Sequence, residues 1–366
     1  MTARNPPAPR VAGERQLRTA SYAVFLTFVG AGFSFANWAA RIPQIRAVLQ
    51  VSPGVLGLIL LSGAIGSGIA TPLSGLVITW LGEVRTVAWM SLLSAGGLAI
   101  IAAGYRAGIA PVAVGLFLFG FGGGSWDVAM NVQGAAVEQG LGRSVMPRFH
   151  AGWSVGTVAG AGTGAAMVAL NVPVVTHLLA VALIVAAAVP AATRGYLRRA
   201  RQRAAGPAVA GAAPLADRGA AEWNPVDQGA AGGSATAGRR SALAAWLEPR
   251  TLLIGVFVLC MTVTEGAGND WLSLAVIDGY RVAAVVGTLT FAIFLAGMTV
   301  GRWVGPRFID AYGRVRALRA CTVIALAGLL LIDFGPFLPA AMAGALLMGL
   351  GTSLGFPVGL SAAADD

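Results

Sequence analysis

The chain has 366 residues, of which 57% are hydrophobic and only 11% charged, against about 25% charged in an average soluble domain. Its 25 basic residues are all arginine and, with 15 acidic residues, give a net charge of +10. Apolar content at this level excludes a soluble enzyme, and leaves room for ten spans of about 20 apolar residues each.

Ten spans follow in chain order, at 20–40, 53–79, 86–105, 110–136, 149–169, 172–193, 251–277, 282–304, 316–334 and 337–361. The runs lack the period-two alternation of a membrane barrel, so they predict helices and an all-α membrane protein. The basic start, with Arg4, Arg10, Arg15 and Arg18, has no small-residue cleavage site after a short apolar core. The first run therefore reads as a membrane helix and not as a secretory signal. With the N-terminus inside, Arg85, Arg143, Arg148 and the arginines between 307 and 319 fall on the cytoplasmic side. Only Arg41, Arg46, Arg106 and Arg281 fall outside. This asymmetry obeys the positive-inside rule. The positive charge is thus a topology signal and not a nucleic-acid footprint. The reading is a multi-pass protein of the cell (inner or plasma) membrane, with both termini cytoplasmic and the lipid bilayer as its surroundings.

Residues 1–19 form a basic tail and 20–195 a bundle of six helices. Residues 196–247, rich in Ala, Gly and Arg and carrying Pro207, Pro214 and Pro225, read as a flexible cytoplasmic linker. Residues 248–366 hold a second bundle of four helices. Cys260 and Cys321 both lie in apolar runs without metal-ligand spacing. With two histidines, and no nucleophile–base or phosphate-loop pattern, the sequence predicts no metal, no cofactor and no enzymatic activity.

The two bundles repeat. Asn37-Trp38 is matched by Asp270-Trp271, Gly82-Glu83-Val84-Arg85 by Gly313-Arg314-Val315-Arg316, and Gly120-Phe121-Gly122 by Gly349-Leu350-Gly351. Three landmarks keep nearly one register. Parallel six-helix repeats of this kind build the major facilitator transporters.

The sequence resembles the major facilitator superfamily (MFS), and within it the MosC-like (rhizopine-transport) and fucose-permease-like branch. Phe35-Ala36-Asn37-Trp38-Ala39-Ala40-Arg41-Ile42-Pro43 resembles that branch's first-helix end, Trp126-Asp127-Val128-Ala129-Met130-Asn131 its fourth helix, and Glu265-Gly266-Ala267 with Asp270-Trp271 its seventh. The family's signature loop, Gly-x-x-x-Asp-x-x-Gly-Arg-x-Arg, is matched at Gly75, Gly82 and Arg85. It is matched again at Asp310, Gly313, Arg314 and Arg316. Thr79, Glu83 and Pro306 depart from it. The resemblance implies two pseudo-symmetric bundles, a monomer, and a cavity lined by the first, fourth, seventh and tenth helices. It also implies twelve helices, so a chain ending at Asp366 after the tenth is expected to be short by about two.

A carboxylate at a helix centre costs about 2.5–3.5 kcal/mol on insertion scales, which singles out Asp127 and Glu265. Each is followed four residues later by an amide, Asn131 and Asn269, on the same helix face. An acid with an amide can bind the hydroxyls of a sugar or polyol. Asp127 is the favoured proton carrier, because the fucose-permease-like branch has a carboxylate and a downstream Asn at the matching place. Trp126 is expected to stack on the solute, Asn37 to join the solute-binding set, and Arg41 with Asp270 to form an outer gate. By analogy with the family, Asp310 would latch the start of the fifth helix. His177 reads as incidental, and the glycines of the fifth helix as close packing on a neighbour. The expected function is secondary transport of a small polar solute, a sugar or cyclitol, in symport with protons by alternating access. An exporter of drugs or metabolites is one alternative. A non-transporting truncated protein or partner-binding scaffold is the other.

Overall fold

The computed structural model describes residues 13–143, 145–197, 249–355 and 358. Every regular element among them is helical: α1 (Glu14–Ala39), α2 (Ile42–Leu49), α3 (Pro53–Leu81), α4 (Glu83–Gly104), α5 (Ile109–Leu141), α6 (Met146–Ala169), α7 (Val174–Ala192), α8 (Pro249–Tyr280), α9 (Ala284–Tyr312), α10 (Arg314–Phe334) and α11 (Leu338–Thr352). Each expected span coincides with one of these. The end of the tenth, toward residue 361, lies mostly outside the described residues. So do residues 1–12 of the basic tail and all of the linker beyond Leu197. Helix α2 was not anticipated, being too short for a span. Its apolar Ile42, Pro43 and Ile45 are buried.

Seven helical segments among the described residues are long and apolar enough to cross a membrane. Helix α6 is not one of them, because glycine and hydroxyl side chains dilute its apolar content. Those glycines serve packing. A Cβ at Gly152, Gly156, Gly160 or Gly164 would run into Phe25, Val29, Phe33 or Ala40 of the α1 segment. The four-residue spacing puts them on one face, and α1 lies directly against it.

The repeat is visible in the backbone. Gly82 and Gly313 both end a helix with positive φ (77° and 80°), in the region where a Cβ is strained. Gln50 and Arg281, separated by the same number of residues, also share positive φ (51° and 53°). Interhelical contacts repeat as well. Gly120 of α5 abuts the Gly63 carbonyl of α3, and Gly349 of α11 abuts the Phe294 carbonyl of α9. Gly122 meets Met90 and Ser94 of α4, while Gly351 meets Cys321 and Ala325 of α10. In each case a helix approaches closely only because one residue has no side chain.

Across the two sets of helices, α6 packs on α9 and α2 touches α8. Polar groups within the bundles are tied locally. The Glu138 carboxylate accepts from the Val145 and Met146 amides (2.7 Å each), capping the start of α6.

Candidate functional site

A cavity of about 390 Å³ opens between the helices. Its wall comes chiefly from α1, α3 and α5, with Trp153 from α6 and Asp270 from α8. Ser34, Ser67 and Thr71 supply hydroxyls, and Phe35, Trp38 and Trp153 supply aromatic rings. Asp127 is exposed to this space. Its expected partner is in place: the Asn131 amide donates to the Asp127 carbonyl (2.9 Å) and to its carboxylate (3.3 Å). The four-residue spacing on α5 produces this pair directly. Asp270 is half-buried in the same cavity.

Other expected members lie elsewhere. Asn37 is fully buried and outside the lining. Its Oδ1 meets His177 Nε2 (2.8 Å) and its amide donates to the Phe33 carbonyl (2.9 Å). His177 Nδ1 accepts from Arg41 Nε (2.8 Å), and Arg41 also donates to the Val172 carbonyl (3.0 Å). Donation by Arg41 leaves Nδ1 as the acceptor, so Nε2 carries the proton toward Asn37. The result is one directed chain from Arg41 through His177 and Asn37 to the α1 backbone. The expected Arg41–Asp270 pair is therefore not formed. His177, read as incidental, is the link that joins α7 to α1. Its signal was the presence of a polar ring in an apolar span.

Glu265 departs from expectation too. Its carboxylate pairs with Arg302 of α9 (2.9 Å), and neither residue is in the cavity lining. Glu265 makes no hydrogen bond with the Asn269 amide of the kind that joins Asn131 to Asp127, and the Asn269 side-chain oxygen is buried without a partner. Arg302 was legible as a charge inside an apolar span. A buried acid needs such a partner, and the arginine outcompetes the amide.

Trp126 lines the cavity but is only 1% exposed, held beside Gly30 and Val189. It has no free face on which a solute can stack. Its indole nitrogen is buried without a hydrogen-bond partner. Of the signature-loop positions, Gly82 and Gly313 make the positive-φ turns described above, and Gly75 has open space beside it. Arg85 is exposed and Arg314 half-buried. Asp310 is exposed and forms no ion pair with the start of α6 among the described residues.

At the end of the molecule where α2 lies, Arg46 pairs with Asp278 of α8 (2.5 Å), and Trp271 of α8 rests beside Gly57 of α3. This pair joins the two sets of helices where the expected Arg41–Asp270 contact does not.

No protein-family model matches the chain. It is 30% identical to an uncharacterized transporter of Sinorhizobium fredii, y4wD, over 96% of this chain and 84% of that one. An uncharacterized MFS-type transporter of Yersinia pestis is 28% identical over 92% and 78% of the respective chains. The membrane protein MosC of Rhizobium meliloti is 28% identical over 93% and 75%. Among solved structures, a D-xylose–proton symporter superposes with TM-score 0.68 at 13% identity, covering 93% of this chain and 81% of that one. The nucleoside transporter NupG superposes with TM-score 0.64 at 15% identity, covering 93% and 80%. At such identities the superpositions speak for the fold.

Proposed function

The chain belongs to the major facilitator superfamily of membrane transporters, and we propose that it carries a small polar solute, a sugar or cyclitol, together with protons by alternating access. One observation carries this reading. Asp127 stands in the interior of a membrane protein, open to a cavity, with only an amide for a partner. An ion pair would hold the carboxylate charged throughout. An amide leaves it able to take and give up a proton as its surroundings change. The hydroxyls of Ser34, Ser67 and Thr71 and the ring faces around them suit a polyhydroxylated solute. The D-xylose–proton symporter of the same fold couples a sugar to protons by its own name, which supports the coupling. One positive charge crossing 100 mV carries about 2.3 kcal/mol, enough to drive useful accumulation.

In proteoliposomes, Asp127→Asn should reduce pH-gradient-driven uptake of the solute at least about tenfold, with D-xylose and myo-inositol as the first probes, and leave solute exchange intact. Active uptake at the parental rate by this variant would sink the proton role.

The arginine asymmetry supports cytoplasmic termini, which sets the Arg46–Asp278 pair at the outer face. The side chains are 21% and 56% exposed, so the pair should add under about 1 kcal/mol to stability. Its effect is on conformation. Arg46→Ala should barely change the melting temperature. It should speed labelling of a cysteine placed at Gly57 by a membrane-impermeant reagent added outside. Unchanged labelling would mean the pair holds nothing closed.

A further inference from the structure

We propose that Asp270 is a second cation-binding carboxylate of the cavity, so that closure of the cavity takes up two positive charges. One is the proton on Asp127. The other, on Asp270, is a cationic group of the solute or a second proton. The proposal rests on the reading of this cavity as the transport site, and extends it from one charge to two.

Two carboxylates face this cavity, one from each set of helices: Asp127 on α5 and Asp270 on α8. Neither has a basic partner among the described residues, and no arginine or histidine is in the lining. Three arginines on α2, α9 and the α1–α2 turn are engaged elsewhere. Arg41 is held by His177 and the Val172 carbonyl, Arg46 by Asp278, and Arg302 by Glu265. The contrast with Glu265 is informative. Where α8 carries acids outside the lining, Glu265 and Asp278, Arg302 of α9 and Arg46 of α2 pair with them; where it carries one in the cavity, nothing does.

Alternating access requires the cavity to close around its cargo with water excluded. Two ionised carboxylates drawn together from opposite walls would repel and would lose their hydration at the same step. Neutralising Asp127 alone ends the repulsion but leaves an ionised Asp270 to be dehydrated as the cavity closes. A second positive charge removes that cost and lets α8 approach α5. An empty or half-loaded cavity then resists closure, which is what coupling requires. The site thus offers anionic acceptors beside the hydroxyls of Ser34, Ser67 and Thr71.

The charge of the cavity can be read without knowing the solute. Thr71 is exposed and lines it, so Thr71→Cys in a Cys260→Ser background gives a reporter thiol. Cys321 is buried. A trimethylammonium methanethiosulfonate should label it about tenfold faster than the sulfonate analogue, after correction for their rates with a free thiol, because a cleft of one sign concentrates counter-charges. Asp270→Asn should cut that ratio about threefold, and Asp270→Glu should restore it. The melting temperature of each variant checks that the fold is retained. D-glucosamine and D-glucose then act as protecting probes. Stronger protection by the amine, lost in Asp270→Asn, assigns the second charge to the solute. Equal protection by both, with one proton fewer in its pH dependence for Asp270→Asn, assigns it to a proton. A ratio that falls in Asp127→Asn but not in Asp270→Asn overturns this proposal alone. A thiol unreactive to both reagents overturns the reading of the cavity itself.

Discussion

Replacing Gly120 or Gly349 by alanine should destabilise the protein by at least about 3 kcal/mol each, at or above the upper end of ordinary overpacking costs. The added methyl would land on a carbonyl oxygen, of Gly63 in one case and of Phe294 in the other, well inside van der Waals contact. A side chain in the way can change rotamer, but a helix backbone cannot move without disturbing every contact along its length. The second atom in range is also backbone at both sites, the Gly63 carbonyl carbon and the Met298 nitrogen. Helices in lipid gain no hydrophobic drive from approaching one another, so close backbone packing is a main source of their association. The measurement is the fraction of monodisperse protein left after heating, followed by size-exclusion chromatography. Gly123, with open space around its Cβ position, is the control: Gly123→Ala should behave like the parent. Equal losses at Gly120 and Gly123 would show that a general effect such as expression, and not the contact, governs the outcome, because alanine is the better helix former at both sites.

The paired glycines explain why so much of this fold was legible. Membrane spans are set by apolar length, and ten runs of the right length mark ten helices, with looser ends: α1 begins at Glu14 and α9 continues to Tyr312. The repeat was legible because the close-packing glycines must recur wherever a contact recurs, as in the Gly120 and Gly349 triplets. The Asp127–Asn131 pair was legible for a similar reason: both residues lie on one helix, four apart, and nothing distant is needed to bring them together. The remaining parts of the site depend on neighbours far away in sequence. Asn37 bonds a histidine 140 residues on, and Glu265 an arginine 37 residues on. Periodicity within one helix says which residues share its face. It does not say which other helix that face meets. Trp126 illustrates the same limit. Its place beside Asp127 on α5 was readable, but its burial against Gly30 and Val189 comes from α1 and α7.

The Glu265–Arg302 pair yields the second large effect. Arg302→Met should cost about 3 kcal/mol, at the low end for removing one member of a buried ion pair. The side chains are 24% and 22% exposed, so the loss is moderated by water without being abolished. Most of that cost is the unpaired carboxylate left in the membrane interior, not the attraction itself. The double variant Glu265→Gln/Arg302→Met, which removes both charges, should therefore recover most of the melting temperature lost by the single one. A double variant as unstable as Arg302→Met would mean that Arg302 acts through its packing or its approach to the Ser353 carbonyl (3.5 Å). In the register of the signature loops, Arg302 falls at the position of Thr71, in the cavity wall. The second set of helices therefore presents a paired arginine where the first presents a hydroxyl. A stable double variant that still concentrates solute would show that the pair serves the fold. One that folds and exchanges but cannot accumulate would show that Glu265 moves charge alongside Asp127.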